Sequence, residues 1–140
     1  MKKLYYLALS ILFINCGGEP SKEDKILEAS KNRYHVNDEK IEYQSIDSLN
    51  FDSATYDGKP MTGIVFREHS NGNLQREFFY NNAIFLGLKR YYKSGVLKNE
   101  EWHHPTNNSF DRTEYDTQGK KTRFFAENAE GEVMVDNKYD

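Results

Sequence analysis

Between Tyr56 and Trp102 a two-strand unit is written twice, and this internal repeat limits the fold more than any other feature of the chain. Tyr56 maps onto Tyr80 and Gly63 onto Gly87 at a spacing of 24 residues, while Gly72 and Leu74 map onto Gly95 and Leu97 at 23. Four glycines share one polar setting: Asn71-Gly72-Asn73, Ser94-Gly95-Val96, Gln118-Gly119-Lys120 and Glu130-Gly131-Glu132. A polar residue before glycine, flanked by β-prone runs, marks a hairpin, because the tight turn needs positive φ and glycine supplies it without steric cost. We read Gly63, Gly72, Gly87, Gly95, Gly119 and Gly131 as the turn punctuation of the repeats.

The pattern predicts hairpins pairing residues 62–70 with 74–80 and 84–92 with 96–102. A weaker one pairs 110–115 with 122–126, and a last strand lies near 133–135. Strands joined by short turns make an antiparallel meander, since parallel pairing needs long crossovers. The fold class is therefore all-β, an antiparallel hairpin meander with a short irregular or helical lead-in. Ile64, Phe66 and Glu68 alternate with Val65, Arg67 and His69, so neither face is cleanly apolar and both are expected to be partly exposed. The doublets Phe78-Phe79, Tyr91-Tyr92 and Phe124-Phe125 give each face its own aromatic stripe.

The N-terminus carries a different signal. Lys2 and Lys3 precede an apolar run from Leu4 to Ile14, and the chain's single cysteine, Cys16, follows. That run is shorter than the roughly 20 residues a membrane span needs, and it is flanked like a secretion signal. Leu12-Phe13-Ile14-Asn15-Cys16-Gly17-Gly18 resembles a bacterial lipobox, with Asn15 where that motif carries Gly, Ala or Ser. The resemblance implies a signal peptide over 1–15, acylation of Cys16 and attachment to a membrane through the lipid. A polar tether follows over 16–25, then a cap segment over 26–55 and the repeat domain over 56–140. Ser21-Lys22 followed by Glu23 and Asp24 resembles the acidic export signal of Bacteroidetes surface lipoproteins, although a solvated charge run reads equally well. The implied address is the cell envelope, as an outer-membrane lipoprotein, with the inner face and the outer surface both open.

Within the lead-in, Ser21 and Asp24 fit a capping box opening a short helix to about Lys31. Residues 34–36 and 41–43 look like brief strands, and 45–51 fits a helical turn or an irregular lead-in.

The repeat itself resembles the MORN-like variant found in YwqK-type antitoxins. The family unit has Gly, then an aromatic, then polar-x-Gly and Leu, matched by Gly63, Phe66, Asn71, Gly72 and Leu74 and by Gly87, Tyr91 or Tyr92, Ser94, Gly95 and Leu97. The likeness is good over residues 44–103 and faint over 111–135. Asn81-Asn82 stands in the second unit where the first has Asp57-Gly58, and the third unit lacks its leading glycine. It implies a β-repeat scaffold and an immunity or antitoxin type of partner.

Candidate chemistry is sparse. His103 and His104 are adjacent and so poorly placed to share a metal, and His35 and His69 are isolated. The paired carboxylates Glu100-Glu101 and Glu130 with Glu132 read as a solvated face, with no apolar wall to raise a pKa. No phosphate loop or nucleophile elbow is present. The expectation is a non-catalytic chain without cofactor or metal. Without its leader it carries 17 basic against 22 acidic side chains, which argues against nucleic acid as a general partner.

Phe79, Tyr80, Tyr91, Tyr92 and Trp102 are the candidate interaction residues, serving either as core or as anchors for a protein partner. The alternative function is a structural or glycan- or lipid-binding envelope protein that uses the same aromatics. Specificity is expected where the two copies differ, at Phe66, Arg67 and His69 against Arg90, Tyr91 and Lys93.

Overall fold

Extended segments dominate the computed structural model, which describes residues 19–46, 51–104 and 106–140. The apolar leader and Cys16 lie outside the described residues. The elements are α1 (Lys22–Ala29), β1 (Arg33–His35), β2 (Ile41–Ile46), β3 (Phe51–Tyr56), β4 (Lys59–Pro60), β5 (Gly63–Glu68), β6 (Leu74–Asn81), β7 (Ile84–Tyr91), β8 (Leu97–His104), β9 (Ser109–Tyr115), β10 (Lys121–Glu127) and β11 (Val133–Lys138). Eight strands form one sheet in the order β1-β5-β6-β7-β8-β9-β10-β11, and β2-β3-β4 form a second.

From β5 to β11 every neighbour in the large sheet is antiparallel and sequential, the meander that the repeat predicts. One edge departs from it. β1 pairs with β5 in parallel, Tyr34 opposite Val65, because the intervening β2-β3-β4 sheet supplies the long crossover that a parallel pair needs. The expected helical turn over 45–51 is corrected too: the ends of that segment continue β2 and open β3, in register with Ser45 opposite Asp52. Residues 47–50 lie outside the described residues. The tether expected to run to Lys25 is helical from Lys22 onward.

Four turns are near copies. The N–H of Gly72, Gly95, Gly119 and Gly131 donates to the carbonyl three residues earlier, at His69, Tyr92, Asp116 and Asn128. All four glycines have φ between 79° and 88°. This is a type I turn closed by a left-handed residue, one residue wider than the two-residue hairpin loop, and it brings the bulges seen at Arg67/Glu68, Arg90/Tyr91 and Lys121/Arg123. Gly63 and Gly87 are not turn residues. Gly63 opens β5 and Gly87 sits inside β7, where each permits a close approach. A Cβ on Gly63 would lie 2.5 Å from the Tyr34 ring, and one on Gly87 would lie 2.2 Å from the Glu101 carbonyl oxygen.

The core lies at one end of the large sheet, on both faces. On one face α1 lays Ile26 against Ile64, Phe79 and Leu86, with Trp102 at the margin. On the other, Ala54 and Met61 of the small sheet and its link pack on Val65 and Tyr80. Burying each such large side chain contributes roughly 1.5–3 kcal/mol, which is how two thin layers hold together without a disulfide. A closed ring of backbone bonds ties the small sheet to the β6–β7 turn: Ala54 N–H to Ala83 O at 3.2 Å, Ala83 N–H to Met61 O at 2.8 Å and Met61 N–H to Ala54 O at 3.0 Å. Toward β11 neither cover continues, and every residue of that strand is exposed.

Candidate functional site

The predicted anchor residues are placed by the fold as fasteners. Phe79 and Tyr80 point to opposite faces and fill the two core clusters, with Tyr80 only 2% exposed, so neither presents an anchor. Trp102 stands edge-on to Phe79 at 5.1 Å, its indole N–H reaches Glu100 at 3.3 Å, and the ammonium groups of Lys22 and Lys89 lie over its ring.

The Tyr91 hydroxyl donates to the Glu77 carboxylate, which also holds Arg33 at 2.7 Å. Burial and that carboxylate push the Tyr91 phenol far up. Tyr92 donates to the Tyr115 carbonyl at 3.0 Å, and the Tyr115 hydroxyl donates to Glu100 at 2.8 Å. Burial and the Glu100 bond raise the Tyr115 phenol to about 12. The donor protons of these three hydroxyls are thus used inside the protein.

The histidines are dispersed. His103 belongs to a ring ladder across the sheet: Tyr80 to Phe85 at 5.6 Å, Phe85 to His103 at 5.2 Å, His103 to Phe110 at 5.8 Å and Phe110 to Phe125 at 5.8 Å. His104 turns to the other face and meets Asp111 at 2.8 Å. His69 contacts the Tyr91 carbonyl through Nε2, and His35 sets its ring edge on Phe66. His35 and His69 line a shallow polar groove of about 450 Å³ with Asn37, Arg67 and Glu68. Among the described residues no group of three or more His, Cys, Asp or Glu side chains is arranged to hold a metal ion.

Among the described residues, two surfaces bear on partner binding once these side chains are assigned. One is β11, which ends the strand order and pairs only with β10 among the described residues. It carries Val133 at 56% and Met134 at 66% exposure, with Val135 beside them. Tyr139 donates its backbone N–H inward to Thr122. Alternation along the antiparallel ladder therefore turns the N–H groups of Asp136 and Lys138 outward. Sequence reasoning placed this strand without marking its exposure. An apolar run next to a charged Asp136-Asn137-Lys138 end looks like any half-buried strand until its neighbours are counted.

The other open surface is a row of arginines crossing β5, β6 and β7: Arg67 faces Arg76, and Arg76 faces Arg90. Two of the three, Arg67 and Arg90, are among the positions where the repeat copies differ, and Arg76 completes the row only through the strand register. No protein-family model, curated protein or solved structure matches the chain.

Proposed function

We propose that this chain is a lipid-anchored, non-catalytic MORN-like repeat protein that binds another protein by strand addition at β11, as an antitoxin or immunity type of partner. The observation that carries the reading is the edge strand itself. β11 has unmet backbone donors and acceptors along its outer side and an exposed apolar run, Val133 to Val135, at its start. An exposed edge of this kind templates pairing, with main-chain bonds giving affinity and alternate side chains giving selectivity. The acylated Cys16 would hold the domain at the membrane where its partner passes; that part rests on the lipobox-like sequence.

Lysine at Val133 and Met134 tests the reading. Both side chains are exposed, so the double substitution Val133→Lys/Met134→Lys is expected to leave folding stability within about 0.5 kcal/mol of the parent. It is expected to abolish co-purification of the partner from native envelopes. Retention of the same partner by the variant would overturn strand addition at this edge.

A further inference from the structure

On the face of the large sheet opposite α1, the strand register sets Arg67, Arg76 and Arg90 side by side on three neighbouring strands. Like charges directly opposite one another destabilise a sheet, so the row is a cost to the fold. The fold does little to offset it. Arg90 pairs with Glu101, but among the described residues neither Arg67 nor Arg76 makes an ion pair or side-chain hydrogen bond, and both are exposed.

The next position in the row is Asn99, opposite Arg90 on β8. It is only 9% exposed, and its buried Oδ1 has no hydrogen-bond partner. That oxygen is an acceptor closed off from solvent and takes no part in the row; the two unneutralised guanidinium groups are what a surface shows when its anionic partner comes from another molecule.

The protein itself contains the matching half of such a contact. One position along the strands, buried Glu101 is gripped by Arg90 from β7 and by Arg112 from β9 at 2.6 Å. A carboxylate spanning guanidinium groups on flanking strands is therefore an arrangement this sheet already makes. We propose that the Arg67–Arg76–Arg90 row receives the carboxylates of an acidic segment on the protein partner. The planar guanidinium fork matches a carboxylate with two parallel bonds, and Arg90 keeps donors to spare beyond those used on Glu101. A polyphosphate backbone fits less well, since three cations release few counterions.

The proposal rests on the protein-binding reading. Its probe touches only the arginine row, so failure here leaves the β11 test standing. Fluorescein-labelled hexaglutamate is titrated with the full chain and with Arg67→Gln/Arg76→Gln, with oligothymidylate as a competing probe. The parent is expected to bind hexaglutamate saturably and more tightly than oligothymidylate. The double variant is expected to lose about tenfold or more in affinity while its thermal midpoint holds or rises, since repulsion is removed. Equal affinity in parent and variant, no saturable hexaglutamate binding, preference for oligothymidylate, or loss of binding accompanied by a lowered midpoint would each overturn it.

Discussion

At the scale of single residues, the tightest constraint is Gly87. A Cβ there would stand 2.2 Å from the Glu101 carbonyl oxygen and 3.1 Å from Trp102 Cα, both backbone atoms of β8. Strand β8 cannot swing aside without disturbing the Trp102–Phe79 contact. Gly87→Ala should therefore cost about 3 kcal/mol, the upper end for overpacking, by urea unfolding. Gly72→Ala, which meets no atom within 4 Å, should cost only about 1–2 kcal/mol for its left-handed backbone. Equal costs at the two positions would contradict the close-approach account. The repeat pattern marks both glycines alike, because spacing records where glycine recurs and is silent on whether a turn or a neighbouring strand requires it.

His103 makes the second prediction at this scale. Burial lowers its pKa, and the opposing pull of the Glu101 and Asp111 carboxylates does not overcome that. The unfolded chain then binds a proton more readily than the fold does. The neutral ring's contribution is complete above the unfolded value of about 6.5 and is lost as pH falls from there through the lowered folded pKa. Urea midpoints should drop between about pH 7.5 and 5.5 in the parent, and His103→Phe should flatten that dependence while keeping the ring ladder. A parent midpoint constant over this range would contradict it.

Among the elements, α1 depends most on its cap. Ser21 Oγ accepts the Asp24 N–H at 3.1 Å, and Asp24 Oδ2 accepts the Ser21 N–H at 3.1 Å, a capping box legible from the two residues alone. Eight residues are too few for a self-supporting helix in water. The cap and the Ile26 contact with Ile64, Phe79 and Leu86 must therefore act together. Ser21→Ala should lower unfolding free energy by about 1 kcal/mol, and an unchanged value would mean the helix contributes nothing to the folded state. The hairpin turns were as readable as the cap, since His69 to Gly72 and its three counterparts are local chemistry. β1 was not. Its parallel pairing with β5 joins Tyr34 to Val65 across the whole small sheet, a contact that no local pattern encodes.

Across the whole molecule, coverage is uneven, and that asymmetry is where function is argued. Strands β5 to β7 lie between α1 and the small sheet, whereas β11 has a neighbour on one side only. The aromatics that the sequence left as core or anchors have partners inside the fold: Phe79 and Tyr80 as core, and Tyr91, Tyr92 and Trp102 through their polar ends. Composition cannot separate a ring that fastens a thin sheet from a ring that greets a partner, because both need the same area. The arginine row was hidden for another reason. Arg67, Arg76 and Arg90 align only through a register that bulges at Arg67/Glu68 and Phe79/Tyr80 shift. The central claim is that a partner's strand completes the sheet at β11. It is tested most directly by a photo-crosslinking residue, p-benzoylphenylalanine, placed at Met134 and, as a control, at the exposed α1 residue Glu23 in the native cell. A discrete protein adduct is expected from position 134 and not from position 23; no adduct at 134, or the same adducts from both positions, would contradict it.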